Sequence, residues 1–161
     1  VRTGVHRQAP PFTAEKVTLV PTDSSDHSIR ALEHGQYLAA AFDATVHLIT
    51  VVDVQGAAGP FDAGGVDEQF VTRLEEEGRQ SIENVEEAAG GSAPVETAVV
   101  RGKPSEEILE YADERGIDLI AMGTAGRTGL DRYLVGSTTA RTIRRAEIPV
   151  VAAHVSEENP D

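Results

Sequence analysis

The chain has 161 residues, the size of one domain and enough to bury about two thirds of its unfolded surface. It carries 27 acidic against 14 basic residues, a net charge of −13, which gives it no general pull toward nucleic acid or anionic lipid. The absence of cysteine excludes disulfides, zinc–thiolate sites and thiol catalysis, and no apolar run approaches the roughly 18 residues of a membrane-spanning helix. Lys16 and Lys103 are the only lysines, aromatics are few, and Ala, Val and Gly are plentiful. That composition is expected of a salt-rich cytoplasm, where surface carboxylates keep a protein hydrated; a GC-rich genome with ordinary surface charge would also produce it.

The first stretch, "VRTGVHRQAPPFTAEK", has two arginines but no continuous apolar core after them, so it reads as a loose arm and the cytoplasm is the expected compartment. Pro10 and Pro11 mark a boundary. Residues 1–15 are expected to form a flexible arm, 16–155 the folded domain, and 156–161 a disordered tail. Within the domain, "KVTLVPTD" carries a strand from Val17 to Val20, stopped by Pro21. "DHSIRALEHGQYLAAAF" sets Ile29, Leu32, Leu38 and Phe42 at helical spacing, with Asp26 as the expected N-cap. "TVHLITVVDV" is a second strand, continuous in Val, Ile and Leu as in strands covered on both faces.

"QGAAGPFDAGG" has the composition of a mobile loop. A long helix follows in "VDEQFVTRLEEEGRQSIENVEEAA", with Phe70, Leu74, Ile82 and Val85 toward the core. "VETAVV" is the third strand, and "PSEEILEYADERG" a helix with Gly116 placed to cap its end. "IDLIAMG" is the fourth strand, a helix runs from about Ser137 to Ala146, and "IPVVAA" is the fifth strand. Five strands alternating with helices imply parallel βαβ units, hence a three-layer open α/β sheet with helices on both faces. The ligand crevice of such a sheet lies beyond the carboxyl ends of its strands, where strand order reverses. That directs attention to "PTDSSD", "VVDVQGAAG" and "GTAGRTGLDRYLVGST", the loops after strands one, two and four.

The third of these loops holds Gly123, Gly126 and Gly136. Gly123 ends the fourth strand, where the lack of a Cβ lets another backbone or a ligand come close. Gly126 suits a turn that points successive amides inward at an anion. Gly136, Ser137 and Thr138 open a helix whose free N–H groups and dipole favour a phosphate. Arg127 has the reach to touch one. The P-loop pattern does not fit, because no lysine follows Gly136, and the dinucleotide pattern G-x-G-x-x-G is absent.

The motif G-x2-G-x9-G-S/T after a strand ending Met-Gly resembles the nucleotide-binding signature of universal stress proteins, the UspA-like family. "GTAGRTGLDRYLVGSTTARTIRRAEIPVV", "VTLVPTDSSDHSIRALEHG" and "RGKPSEEILEYADERGIDLIAMG" all resemble segments of that family, so the likeness spans Lys16 to Val155. The resemblance implies a five-stranded parallel sheet of order 3-2-1-4-5 (an adenine nucleotide alpha hydrolase-like fold) and an ATP-binding subgroup. Carried over, Pro21, Thr22 and Asp23 lie by ribose and adenine, and the Val51 backbone meets the adenine edge. Met122 and Gly123 close the pocket, Gly126 and Arg127 contact phosphate, and Gly136, Ser137 and Thr138 hold the phosphate tail. ATP, ADP or AMP is the implied ligand, with magnesium on the phosphates left open. A homodimer through the fifth strand is the implied assembly. Two positions depart from the family: Asp23-Ser24-Ser25 stands where Asp-Gly-Ser is frequent, and Ala125 where a polar or histidine side chain is frequent.

Blander roles compete at several positions. Asp23 alone would be a turn or cap residue, Arg127 a solvated loop tip, and Met122 a buried strand residue. His27, His34 and His47 share no metal-ligand spacing. The runs Glu75 to Glu77 and Glu86-Glu87 read as solvated helix faces. Lys103 is followed by proline and belongs to a strand-three loop off the crevice. No residue trio resembles a hydrolytic engine, so the expected function is a nucleotide-dependent regulator of stress response, with at most slow hydrolysis or self-phosphorylation. The alternatives are a nucleotide-free dimeric interaction module and an adenylating enzyme. The latter is disfavoured because Pro21-Thr22-Asp23-Ser24 is not the His-x-Gly-His pattern of such enzymes.

Overall fold

The computed structural model describes residues 16–60, 66–125 and 135–155; the arm, the tail, Gly126 and Arg127 lie outside the described residues. Strand β1 (Lys16–Pro21) leads to helix α1 (Asp26–Phe42), β2 (Ala44–Val52), the short helix α2 (Val54–Ala58) and α3 (Glu68–Ala89). Then come β3 (Val95–Arg101), α4 (Pro104–Glu114), β4 (Leu119–Gly123), α5 (Ser137–Arg145) and β5 (Val150–Ala153). All pairings are parallel, in the order β3-β2-β1-β4-β5, which is the expected order.

Alternation along the strands divides the core in two. Leu19, Ile49 and Ile120 pack with Ile108 and Ala112 of α4 on one face. Their chain neighbours Val20, Leu48 and Ala121 pack with Ala31, Leu32 and Ala39 of α1 and with Ile82 and Val85 of α3 on the other. Each fully buried Leu or Ile contributes about 1.5–3 kcal/mol relative to exposure, so both faces of the central strands are anchored. Helix α5 packs beside α4. The order reverses between β1 and β4, whose carboxyl ends, Pro21 and Gly123, open side by side.

Four local expectations are corrected. Ser25, not Asp26, is the N-cap of α1: its hydroxyl accepts from Ser28 N–H at 3.2 Å, and Asp26 falls in the first turn, where its charge suits the helix dipole. Phe42 is 61% exposed, because Ser28, Ala31, Leu32, Gly35 and Ala39 take the core-facing stripe. The Lys16 ammonium covers its ring instead, 5.3 Å from the centroid. In α3, Ile82 and Val85 are buried as expected, but Phe70 and Leu74 are only half-buried. The stretch expected to be loop begins with α2, nucleated by Asp53, whose carboxylate accepts from Gly56 N–H at 2.8 Å. Gly116 does stand just past the end of α4 with φ +62°, the left-handed conformation a helix stop uses.

Candidate functional site

Where the sheet order reverses there is a cleft of about 340 Å³. Its position follows from topology: helices leaving β1 and β4 go to opposite sides, so among the described residues the gap between the two strand ends stays open. Nine of the eleven sequence-predicted site residues line it. Pro21, Thr22 and Asp23 come from the end of β1, Val51 from β2, Met122 and Gly123 from β4, and Gly136, Ser137 and Thr138 from the start of α5. The remaining two, Gly126 and Arg127, lie outside the described residues.

Hydrogen bonds lock the β1 side. Thr22 N–H donates to Ile49 C=O at 2.8 Å, and the Thr50 hydroxyl donates to Thr22 C=O at 3.0 Å. The Thr22 hydroxyl donates to Ser28 Oγ at 2.9 Å and accepts from Ser24 N–H at 3.2 Å. Asp23 accepts from Ser25 N–H at 2.9 Å, so it serves the turn as well as lining the cleft. Ser24, at the position where the family often has glycine, adopts φ +66°. That is the left-handed region a serine rarely enters. Its hydroxyl is in contact with that of Ser81 on α3, which ties the turn to a helix.

On the β4 side two clasps fix the start of α5. Gly136 N–H donates to Thr124 C=O at 2.7 Å, and the Thr139 hydroxyl donates to Gly123 C=O at 2.7 Å. Thr124 N–H in turn donates to Ala153 C=O of β5 at 2.9 Å. Gly136 is the N-cap of α5 and supplies no side-chain acceptor, so the first N–H groups of this helix face the cleft with the positive end of the dipole. Gly123 has a second constraint. A Cβ there would lie 2.7 Å from His27 Cβ and 2.8 and 2.9 Å from the His27 carbonyl carbon and oxygen. The backbone that comes close at this glycine is that of α1.

Sequence reasoning missed Ser28, Pro104, Ile108 and Thr139 in the cleft lining, which also includes Ala125, the position singled out between the first two glycines. Pro104 and Ile108 put the start of α4 on the cleft, so the loop carrying Lys103 is not off the crevice. Helix 3.6-periodicity marks Ile108 as buried but cannot say that its neighbour space is open. The lining divides into apolar side chains, Pro21, Val51, Ile108 and Met122 among them, and polar ones, Thr22, Asp23, Ser28, Ser137, Thr138 and Thr139. A flat, largely apolar ring system joined to an anionic group matches that division. Among the described residues no group of three or more His, Asp or Glu is arranged to hold a metal ion. His47 is buried instead against Tyr111 and Glu96, at 3.0 Å from Nδ1 and 3.2 Å from Nε2 respectively.

The fold and cleft define a doubly wound α/β domain with its ligand space at the switch point. The sequence model of the universal stress protein family matches residues 16–154, and the chain belongs to that family. Universal stress protein MJ0531 of Methanocaldococcus jannaschii is 40% identical over 137 residues, covering 84% of this chain and 80% of that protein. The solved structure of MJ0577 superposes with a TM-score of 0.71 at 29% identity, covering 89% of this chain and 98% of the other. A universal stress protein solved in complex with cAMP gives a TM-score of 0.58 at 26% identity, with coverages of 89% and 100%. Among the described residues no helix is long and apolar enough to cross a membrane.

Proposed function

We propose that this universal stress protein binds an adenine nucleotide in the switch-point cleft and acts in stress response as a nucleotide-dependent regulator. The base lies among Pro21, Val51, Ile108 and Met122, with its edge toward the Val51 backbone. Asp23 and Thr22 face the ribose, Gly123 closes the pocket, and the phosphates meet Gly136, Ser137 and Thr138 together with Gly126 and Arg127. The observation that carries this reading is the start of α5, without a side-chain cap, in the lining of a cleft that also presents apolar side chains for a base. The cAMP complex of the relative supports an adenine ring as the partner of those side chains. The nucleotide is a marker of state rather than a substrate turned over. A second copy of the chain pairs at β5, which among the described residues has β4 alone beside it in the sheet.

Mass spectrometry of natively purified protein, followed by calorimetric titration with ATP, ADP and AMP at low and multimolar salt, tests the reading. Binding below millimolar concentration is expected. No binding at millimolar nucleotide in either salt overturns it and leaves a nucleotide-free interaction module. Light scattering after size exclusion checks the dimer, with a monomer at micromolar concentration as the contrary result.

A further inference from the structure

A second groove, of about 390 Å³, adjoins the cleft; the two share Pro104 and Thr138. Lys103, Ser105, Arg141 and Arg145 line it, together with Asp53 and Glu106. The arrangement follows from local structure. Thr138, Arg141 and Arg145 are spaced three and four residues apart on α5, so one helix face runs from the floor of the cleft into the groove. Lys103 occupies the N-cap position of α4, a place where Ser, Thr, Asp or Asn is preferred and a cation is repelled by the dipole. Pro104 takes the next position.

Three features separate this groove from ordinary surface. The first is charge in context. In a chain with 27 acidic and 14 basic residues, Arg30, Arg73, Arg79 and Arg101 are matched to Glu33, Glu77, Glu76 and Glu75, Lys16 and Arg115 lie over the rings of Phe42 and Tyr111, and Arg144 donates to Ala140 C=O. Among the described residues Lys103, Arg141 and Arg145 have no such partner. The second is Ser105, which is 93% buried by its 7% exposure and lines the groove, yet its hydroxyl has no hydrogen-bond partner among the described residues. The third concerns the carboxylates: Asp53 is turned to the N–H of Gly56, and Glu106 sits exposed in the first turn of α4. Three cations and these two carboxylates thus line the groove together.

We propose that this groove is a second anion subsite that takes a phosphate group beyond the position at Gly136, Ser137 and Thr138, held by Lys103, Arg141, Arg145 and the Ser105 hydroxyl. The inference rests on the nucleotide reading of the adjoining cleft. The phosphate comes either from a polyphosphate tail continuing past Thr138 or from a separate phosphate beside a bound nucleotide.

The test compares the intact chain with the double variant Lys103→Gln, Arg141→Gln by calorimetry with AMP, ATP and pyrophosphate at fixed ionic strength. A second double variant, Arg30→Gln, Arg73→Gln, makes the same change in net charge on remote faces. If a tail enters the groove, ATP binding weakens at least about tenfold in the first variant while AMP binding holds. If a separate phosphate enters, pyrophosphate binds the AMP-saturated chain and loses at least about tenfold in affinity in the first variant. Either result supports the subsite. Equal losses in both double variants, or no selective loss for ATP and no pyrophosphate binding, overturn it. Failure of the nucleotide reading itself is distinct: AMP and ATP then fail to bind the intact chain, and pyrophosphate monitored by phosphorus NMR still reports on the groove alone.

Discussion

Replacing Gly123 by alanine puts a methyl group where α1 already lies. The new carbon stands 2.7 Å from His27 Cβ and under 3.0 Å from two His27 main-chain atoms, against an ordinary contact distance of at least 3.4 Å. The shortfall is about 0.7 Å, and it cannot be relieved by turning a side chain, because main-chain atoms make two of the three contacts. Either β4 or the first turn of α1 must shift in a core that is close-packed. Overpacking of this kind costs about 1–3 kcal/mol, which for a chain of this size lowers Tm by roughly 2–12 °C. Urea unfolding followed by circular dichroism, with m unchanged, measures the loss without ligand. Nucleotide affinity falls as well, since Ser28 and Gly123 both line the cleft. A variant as stable as the parent within about 0.5 kcal/mol, with only binding impaired, refutes the packing argument and leaves Gly123 as a ligand contact alone.

Ser24→Ala keeps the left-handed backbone but loses the contact with Ser81, so it destabilises by about 1 kcal/mol. Ser24→Gly removes the strain with the contact, and a urea melt within about 1 kcal/mol of the parent is expected. In ultraviolet titration Tyr111 ionises late, because burial holds its phenol above the ordinary tyrosine range. The folded state keeps that proton more tightly, so stability is full below the unfolded pKa and falls as pH rises through the folded one. Tyr111→Phe removes the late step. Burial, then repulsion from Glu110, Glu106 and Glu114, raises the Glu107 pKa. Its contribution is therefore lost as pH rises through the folded value, and Glu107→Gln should stabilise at pH 7 but not at pH 3. Added salt should shrink that gain by screening the three neighbours.

Strand and helix placement were legible because they rest on signals carried within each segment, while the strand order 3-2-1-4-5 came from the resemblance to universal stress proteins. Val, Ile and Leu runs of strand length alternating with amphipathic helices leave few topologies once crossovers are right-handed, and the reversal point then locates the cleft. The errors lie where two signals compete. Phe42 has helical spacing with Leu38, but the core stripe of α1 is built from small residues, Ala31, Gly35 and Ala39, which let the helix sit close on β1 and β4. An apolar periodicity weighted by side-chain size passes over such a stripe. Asp26 and Ser25 are both good caps, and only the backbone decides between them.

The cleft lining divides along the same line. Topology sends every strand's carboxyl end to one rim and so pointed to the right loops, and the resemblance to universal stress proteins picked out the residues within them. Pro104 and Ile108 were missed because they enter from the side of a helix, where the distance from α4 to the β1–β4 gap is a matter of packing between elements. Gly123 and Ser24 show how one position can satisfy two demands. Gly123 is bare for the approach of α1 and also borders the cleft; Ser24 occupies a glycine-favouring conformation and recovers part of the cost through Ser81. Because Ser24 N–H also donates to the Thr22 hydroxyl, and that hydroxyl to Ser28, the turn holds Asp23 in place from both sides. Here a neighbouring helix offers the serine hydroxyl a partner in a glycine-favouring turn, so Ser24 and Ser81 have to be understood as a pair although 57 residues separate them.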